Sequence, residues 1–398
     1  MENLWLEGRT IVRLKSNQPR PSHMPRGPIS AGGTGFYNPA MAAPRTRSVL
    51  LLADALEYGW LDGSSSGLRV LESLCSTGTR SRRWSSEIPE NLLENVVITA
   101  NDRDAGAIEW AKSYGDDSII RWLEEDARIL MHRESFQWID IDPFGSPIPF
   151  IDSAMQSLPR VGMLEVTATD TAALCGSALD AGKRRYGSVG LNDVYRHDDA
   201  IRILLATIAK AAARHDRIIE PILSLFGGHH LRVSVRVRKS RKKASQVGKM
   251  IGWRHRDAAA TLSLEKVEPC SGPLWIGPLC DAEIASRMTE EKALELCGAD
   301  EEVMPEYWTA NDLELSRREI IRSVKFIADS ADLMSRDHLF MPIDLLPGLA
   351  DLAGPPAMNA LIEALKIADY CAARGPNLEP TILTDATLEE LIIVVQNL

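Results

Sequence analysis

The chain has 398 residues, 45% of them hydrophobic, more than a single core commonly holds, so two domains are expected. Its 45 Lys and Arg against 55 Asp and Glu give a net charge of −10, which argues against a surface that binds polyanions indiscriminately. The start, MENLWLEGRTIVRL, lacks a basic stretch followed by an apolar one, and no window approaches ~18 uninterrupted apolar residues, so neither secretion nor membrane insertion is expected.

Residues 1–47 are rich in Gly and Pro and are expected to form an extended N-terminal arm. The end of that arm, Phe36-Tyr37-Asn38-Pro39 with Arg45 and Arg47, concentrates aromatics and cations of the kind that touch ligands. A helix is expected over 48–60, with Ser48 as its cap.

Strand and helix then alternate. Leu68–Leu74 reads as a first strand, and Cys75–Thr79 as a small-residue turn opening a helix that carries Arg80, Arg82 and Arg83. A second strand, Asn95–Ala100, runs into Asn101-Asp102 and a helix to about Tyr114; a third lies within 118–130 and ends at the Glu-Asp-Ala turn, 125–127. Phe136, Trp138, Ile139 and Ile141 form a buried fourth strand, and Pro143, Gly145, Pro147 and Pro149 forbid a helix directly after it. Val161–Ala168 is the fifth strand, 169–190 is a loop, and 198–214 is a helix capped by Asp198 or Asp199. Ile218–Leu225 and Leu231–Arg238 form a hairpin; in its second strand Leu231, Val233, Val235 and Val237 share one face, and Arg232, Ser234, Arg236 and Arg238 a solvated one. Beyond about 240 the chain changes character: 269–279 is a Pro/Gly connector, and helical patterns at 289–297, 311–328 and 356–372 mark an α-rich second domain.

The fold class is therefore α/β, a doubly wound Rossmann-like sheet with an antiparallel edge strand, plus a smaller α-rich (α+β) C-terminal domain. The turn CSTGT holds a single glycine, so the GxGxxG dinucleotide fingerprint is missing, and a class I methyltransferase fits better than a nicotinamide domain. Six scattered cysteines without a CxxC pair suggest a reducing, cytoplasmic setting, and Cys270 and Cys280 are not spaced as zinc ligands, so no metal is expected.

Each strand end offers something a nucleoside cofactor needs. Gly78 allows close backbone approach, Asp102 can accept ribose hydroxyls, and Asp126 with Ala127 can hold an adenine edge. Asp142-Pro143-Phe144-Gly145 resembles the Asp/Asn-Pro-Pro-aromatic turn of amino-group methyltransferases. A conjugated exocyclic amine is a poor nucleophile; a carboxylate and a carbonyl accepting its two N–H bonds aim its lone pair at an incoming methyl group, while an aromatic ring stacks on the extruded base. Asp140 shares a strand face with Asp142 but lies deeper, where a backbone or arginine partner is expected to satisfy it. His197, His215, His229 and His230 have no triad context and are taken as structural or RNA-facing.

The stretches GFYNPAM (35–41), LESLCSTGTRSRRW (71–84), ITANDRD (98–104), EDA (125–127), IDIDPFGSPIPFIDSA (139–154), VTATDTAALCG (166–176), RRYGS (184–188), RHDDAIRILLATIAKAA (196–212) and SGPLWIGPL (271–279) together resemble the tRNA guanine-26 N2-methyl/dimethyltransferases. A looser match continues through 372–391. The resemblance implies S-adenosyl-L-methionine as cofactor and methylation of the N2 amine of a tRNA guanine. It also implies cofactor contacts from Phe36, Arg45, Gly78, Arg80, Asp102, Asp126 and Ala127, and a catalytic turn of Asp142, Pro143 and Phe144. On this footing 48–245 is the methyltransferase domain and 246–398 a C-terminal tRNA-binding domain, and tRNA phosphates are expected to meet Arg236, Arg238, Lys239, Arg241, Lys242 and Lys243.

The chain departs from the family pattern where Pro44-Arg45-Thr46 replaces Asn-Arg-Asp, where Cys270 stands alone, and where Ala373-Arg374-Gly375-Pro376 replaces Ser-Arg-Thr-His. Two alternatives stay open: an amino-methyltransferase for DNA adenine or a protein amide, and a noncatalytic tRNA-binding protein that retains the fold. The residues carry no signal for oligomeric state or for the number of methyl groups added.

Overall fold

A computed structural model describes residues 4–13, 36–61, 67–115, 119–336 and 338–398, so most of the expected N-terminal arm lies outside the described residues. The chain divides into two compact units, each discontinuous in sequence: 1–142, 153–165 and 287–325 form the first, and 143–152, 166–286 and 326–398 the second.

The first unit opens with a hairpin of β1 (Leu4–Glu7) and β2 (Thr10–Arg13), paired antiparallel with Glu7 opposite Thr10, where an extended arm was expected. Helix α1 spans Ala42–Tyr58, beginning six residues before the expected cap. Ser48 lies inside it, fully buried, and its hydroxyl donates to Glu165. Pro44 falls in the first turn, where its missing N–H costs nothing, so the helix passes the point where the arm was expected to end. Gly59, in the left-handed region at φ 61, stops it.

Four parallel strands follow: β3 (Leu68–Glu72), β4 (Val96–Asp102), β5 (Ile120–Glu124) and β6 (Trp138–Ile141), with β3 pairing both β4 and β6. Val70, Leu71, Ile98, Ile139 and Ile141 are fully buried, giving the near-continuous apolar runs of strands covered on both faces. The expected C-terminal helix over 311–328 ends at Val324, because Phe326 takes φ 68 and a new helix starts at Ile327. Helices Glu290–Cys297 and Ala310–Val324 pack on α1, and Arg287 pairs with Asp54 at 2.6 Å.

The full sheet has the order β5-β4-β3-β6-β7-β9-β8, where β7 is Val161–Ala168 and β8 (Arg217–Phe226) and β9 (Leu231–Lys239) form the antiparallel hairpin. In the second unit, helix Arg196–Arg214 packs on β8, with Tyr195 rather than either aspartate at its cap position. Asp198 and Asp199 are buried in its first turn and bind Arg202 and Arg254 at 2.6 and 2.7 Å. The loop expected over 169–190 holds two short helices, Thr171–Leu174 and Leu179–Tyr186. The expected connector contains a strand, Cys270–Trp275, paired with Ile251–His255. The C-terminal part buries Leu346, Leu361, Leu365, Ile382, Leu391 and Val395 between helices and a small antiparallel sheet of 341–342, 381–384 and 372–374.

Candidate functional site

The carboxyl ends of the parallel strands carry the expected residues. After β3, Gly78 adopts φ 68 and caps helix α2 (Thr79–Glu87); a Cβ there would sit 2.3 Å from the Trp122 ring, so the turn needs glycine. Tyr114 donates its hydroxyl to Thr77 O at 2.9 Å, and its ring lies 3.8 Å from the Arg82 guanidinium, which fixes the turn from behind.

After β4, Asp102 accepts Ser76 N–H at 2.9 Å and Asp104 N–H at 3.0 Å, one on each oxygen. After β5, Asp126 caps helix Ala127–Arg133 by accepting Arg128 N–H, and the Arg128 side chain at 2.6 Å holds its carboxyl down at about 2. Ala127 is buried beside it. Phe36 reaches the same turn through its carbonyl, which accepts Ser76 Oγ–H at 3.1 Å.

Arg45 is buried and donates to Glu7 through Nε at 2.6 Å and to Asn38 O at 3.1 Å. Glu7 also accepts from Arg83 at 3.1 Å and from the Tyr37 hydroxyl. Burial pushes the Glu7 carboxyl up, but Arg45, then Arg83 and Tyr37, outweigh it and hold the group at about 2. Thus β1 supplies the carboxylate that the local Pro44-Arg45-Thr46 sequence lacks.

At the end of β6, Arg80 gathers three carboxylates: Nη2 lies 2.6 Å from Asp142, Nε 3.1 Å from Asp140 and 3.8 Å from Glu72. Asp140 is fully buried and Arg80 nearly so, whereas the Asp142 side chain keeps 20% of its surface exposed. Arg80 is therefore the partner expected for the deeper acid, and Asp142 the member of the pair with access to solvent. Glu72 also accepts both the N–H and hydroxyl of Ser81; burial pushes its carboxyl up to about 7, with Arg80 opposing and Asp140 adding to the rise. Arg80 Nη1 is buried without a hydrogen-bond partner among the described residues. A glycine turn, an acid at the end of β4, an acid-capped helix start and an unspent guanidinium N–H fit a nucleoside bearing an amino-acid tail.

Beyond Pro143, Phe144 is 77% exposed. Gly145, at φ 86, donates its N–H to Thr169 Oγ1 at 2.6 Å and accepts Thr169 N–H at 3.0 Å. Ser146 meets the Tyr186 hydroxyl at 3.0 Å, and that hydroxyl donates to Asp170 at 2.6 Å. The turn is braced on both sides, and Phe144 is largely exposed on it. A helix does follow, Ile148–Ser157, because Pro149 occupies its first turn, where proline is tolerated.

Thr169, Asp170, Tyr186, Glu72, Tyr114 and Trp122 were not singled out from sequence. Glu72 had a signal, an acid closing an apolar strand; the others are distant in sequence from what they support.

The basic run is uneven. Arg232 is buried and donates to Thr167 at 2.7 Å, so the arginine face of β9 is not solvated throughout. Arg236 pairs with Glu220 at 2.7 Å, Arg238 lies 3.5 Å from Glu220, and Arg241 lies 3.6 Å from Asp216. Lys239, Lys242 and Lys243 are exposed. His197 bonds Glu379 at 2.9 Å and stacks on Phe226, and His215 lies 3.3 Å from Asp152. Among the described residues no cluster of His, Cys, Asp and Glu has the makings of a metal site, and no helix is long and apolar enough to cross a membrane.

Comparison with known proteins gives a consistent result. The family model described as N2,N2-dimethylguanosine tRNA methyltransferase matches residues 12–396. A tRNA (guanine(26)-N(2))-dimethyltransferase of Methanosphaerula palustris is 30% identical over 97% of this chain and 96% of its own length. Its counterpart in Pyrobaculum aerophilum is 36% identical over 64% of this chain and 68% of its own. The solved complex of Trm1 from Pyrococcus horikoshii with S-adenosyl-L-methionine superposes with a TM-score of 0.73 at 25% identity, covering 98% of this chain and 99% of that one.

Proposed function

The chain belongs to the N2,N2-dimethylguanosine tRNA methyltransferase family, and from that premise we propose that it methylates the N2 amine of guanine 26 in tRNA with S-adenosyl-L-methionine. The observation that carries the chemistry is the clamp of Arg80 on Asp142 at 2.6 Å. A guanidinium on one carboxylate oxygen fixes the rotamer of the group, leaving the other oxygen to accept an N–H of the substrate amine. The cofactor supplies an electrophilic methyl group.

Asp142 orients the amine so that its lone pair is directed along the transfer path, and the acquired positive charge is lost as a proton once the nitrogen is alkylated. No strong base is needed before transfer. Phe144, exposed on a braced turn, stacks on the extruded guanine, and Pro143 keeps the turn rigid. Gly78, Asp102, Asp126 and Ala127 hold the cofactor, with Arg80 Nη1 directed to its carboxylate end. Phe36 covers the site, and Arg45 supports it by anchoring Asn38, two residues away. Lys239, Lys242 and Lys243, with Arg238 and Arg241 beside them, meet tRNA phosphates, and the C-terminal residues, divided between the first unit (287–325) and the second (246–286 and 326–398), dock the tRNA in a cytoplasmic enzyme.

The test is to incubate the protein with labelled S-adenosylmethionine and unmodified tRNA and identify the products by mass. N2-methylguanosine and N2,N2-dimethylguanosine at position 26 are expected; neither appearing with a competent tRNA sinks the assignment.

A further inference from the structure

Within the second unit a cavity of about 240 Å³ lies behind the braced turn. Ile148 and Ile151, from the helix after the turn, form one wall, and Arg185, Lys210 and Arg214 supply three cations against the single carboxylate Asp152. Tyr186 also lines it, and its hydroxyl meets Ser146 in the turn at 3.0 Å. Through Tyr186 the cavity thus reaches the residue that follows the DPFG turn.

Two of the cations have ordinary explanations. Arg214 ends helix Arg196–Arg214 and Arg185 lies in the last turn of Leu179–Tyr186, where the helix dipole favours positive charge. Each also has a carboxylate at 3.0 Å, Asp152 for Arg214 and Asp170 for Arg185. Lys210 has neither. It sits one turn before Arg214 on the same helix face, is half-buried, and has no salt-bridge partner among the described residues. Burial lowers its pKa, and the one carboxylate of the cavity, Asp152, is held by Arg214 at 3.0 Å. A partly desolvated ammonium beside two further cations is unfavourable unless an anion joins it.

We propose that this cavity binds a backbone phosphodiester of the RNA next to the target nucleotide, with Lys210 as the central ligand and Arg214 and Arg185 on its rim. The inference rests on the tRNA reading above for its substrate. Lysine suits a phosphate oxygen as a point charge, and a phosphodiester brings the anion that the protein itself does not provide. The site also differs from the 236–243 run, where Arg236 is already bound to an acid of its own chain at 2.7 Å.

The test is tRNA binding by the full-length protein over a salt series, with Lys210→Gln, Lys210→Arg and Arg214→Gln. Lys210→Gln is expected to weaken binding about tenfold and to reduce the slope of log affinity against log salt by about one, with S-adenosylmethionine affinity unchanged. Lys210→Arg should keep the slope. Wild-type affinity and slope in Lys210→Gln overturn the proposal. If that variant does not fold, Lys210→Met, which keeps the apolar stem, gives the same readout, and an unchanged slope there overturns the proposal equally; Arg214→Gln should change the slope less, since Asp152 already holds its guanidinium at 3.0 Å. Lys210-dependent tRNA binding without methyl transfer removes the enzyme assignment but leaves the phosphate site; methylation with no Lys210 effect does the reverse.

Discussion

Arg80 Nη2 lies 2.6 Å from Asp142 Oδ2, so the acid at the end of β6 is held by the helix that follows β3. Two strand ends adjacent in the sheet are thereby tied by one charge-assisted hydrogen bond, and the rotamer of Asp142 depends on a residue 62 positions earlier. Asp142→Ala should lower kcat for methyl transfer by at least about 10²–10³-fold while leaving S-adenosylmethionine affinity within a factor of about two. Single-turnover transfer and calorimetric cofactor binding measure the two quantities. Retained turnover would move the catalytic role to another residue.

Loss of the guanidinium has a different signature. Arg80→Gln leaves Asp140 buried without its cation and should destabilise the fold by about 3–5 kcal/mol in denaturant titrations, besides slowing transfer. A variant as stable as wild type would show that Asp140 is satisfied elsewhere.

Glu7 and Glu72 give opposite pH responses. Glu7 is held at about 2, below its ordinary 4.5, so its contribution is complete above pH 4.5 and is lost as pH falls through 2. Glu72 is raised to about 7, so its contribution is complete below 4.5 and is lost as pH rises through 7. Each amounts to a few kcal/mol, roughly 3. Denaturation of Glu72→Gln at pH 5 and pH 8 should therefore show a smaller loss of stability at the higher pH than wild type, whereas Glu7→Gln should flatten the acid limb between pH 4.5 and 2. Unchanged pH profiles would remove these two groups as the source.

Phe144 is 77% exposed, so Phe144→Ala should leave the melting temperature unchanged. It should lower kcat/KM for tRNA by about 10–100-fold, the worth of one base–aromatic stack. An unaltered kcat/KM would take the base off this ring.

The basic run should divide by pairing. Replacing Lys239, Lys242 and Lys243 with Gln should weaken tRNA binding and lower its salt slope by about two to three, whereas Arg236→Gln should change the slope little, since its guanidinium already binds Glu220 at 2.7 Å. Equal slope changes per residue would show that the Glu220 pairing opens on tRNA binding.

The α/β sheet, its strand ends and the residues on them are legible in the amino-acid order alone. Apolar runs four to eight residues long, each closed by an acid or a small-residue turn, leave few choices, which is why Gly78, Asp102, Asp126 and Asp142 all stand at the carboxyl ends of parallel strands. Local signals failed where distant partners decide. Ser48 looked like a cap because serine is a good one, but a helix already begun at Ala42 buries it against Glu165. Asp198 and Asp199 looked like caps and are the counter-charges of Arg202 and Arg254. Period-2 alternation put the arginines of β9 on one face correctly, but only packing fixes how much of that face is wet, from buried Arg232 to exposed Lys239. The Arg80 clamp, the Thr169 and Tyr186 braces and the uncompensated charge of Lys210 arise from tertiary structure alone. Each joins groups far apart in the chain, and a hydrogen bond or a desolvation cost depends on distance and burial, which no window of sequence contains.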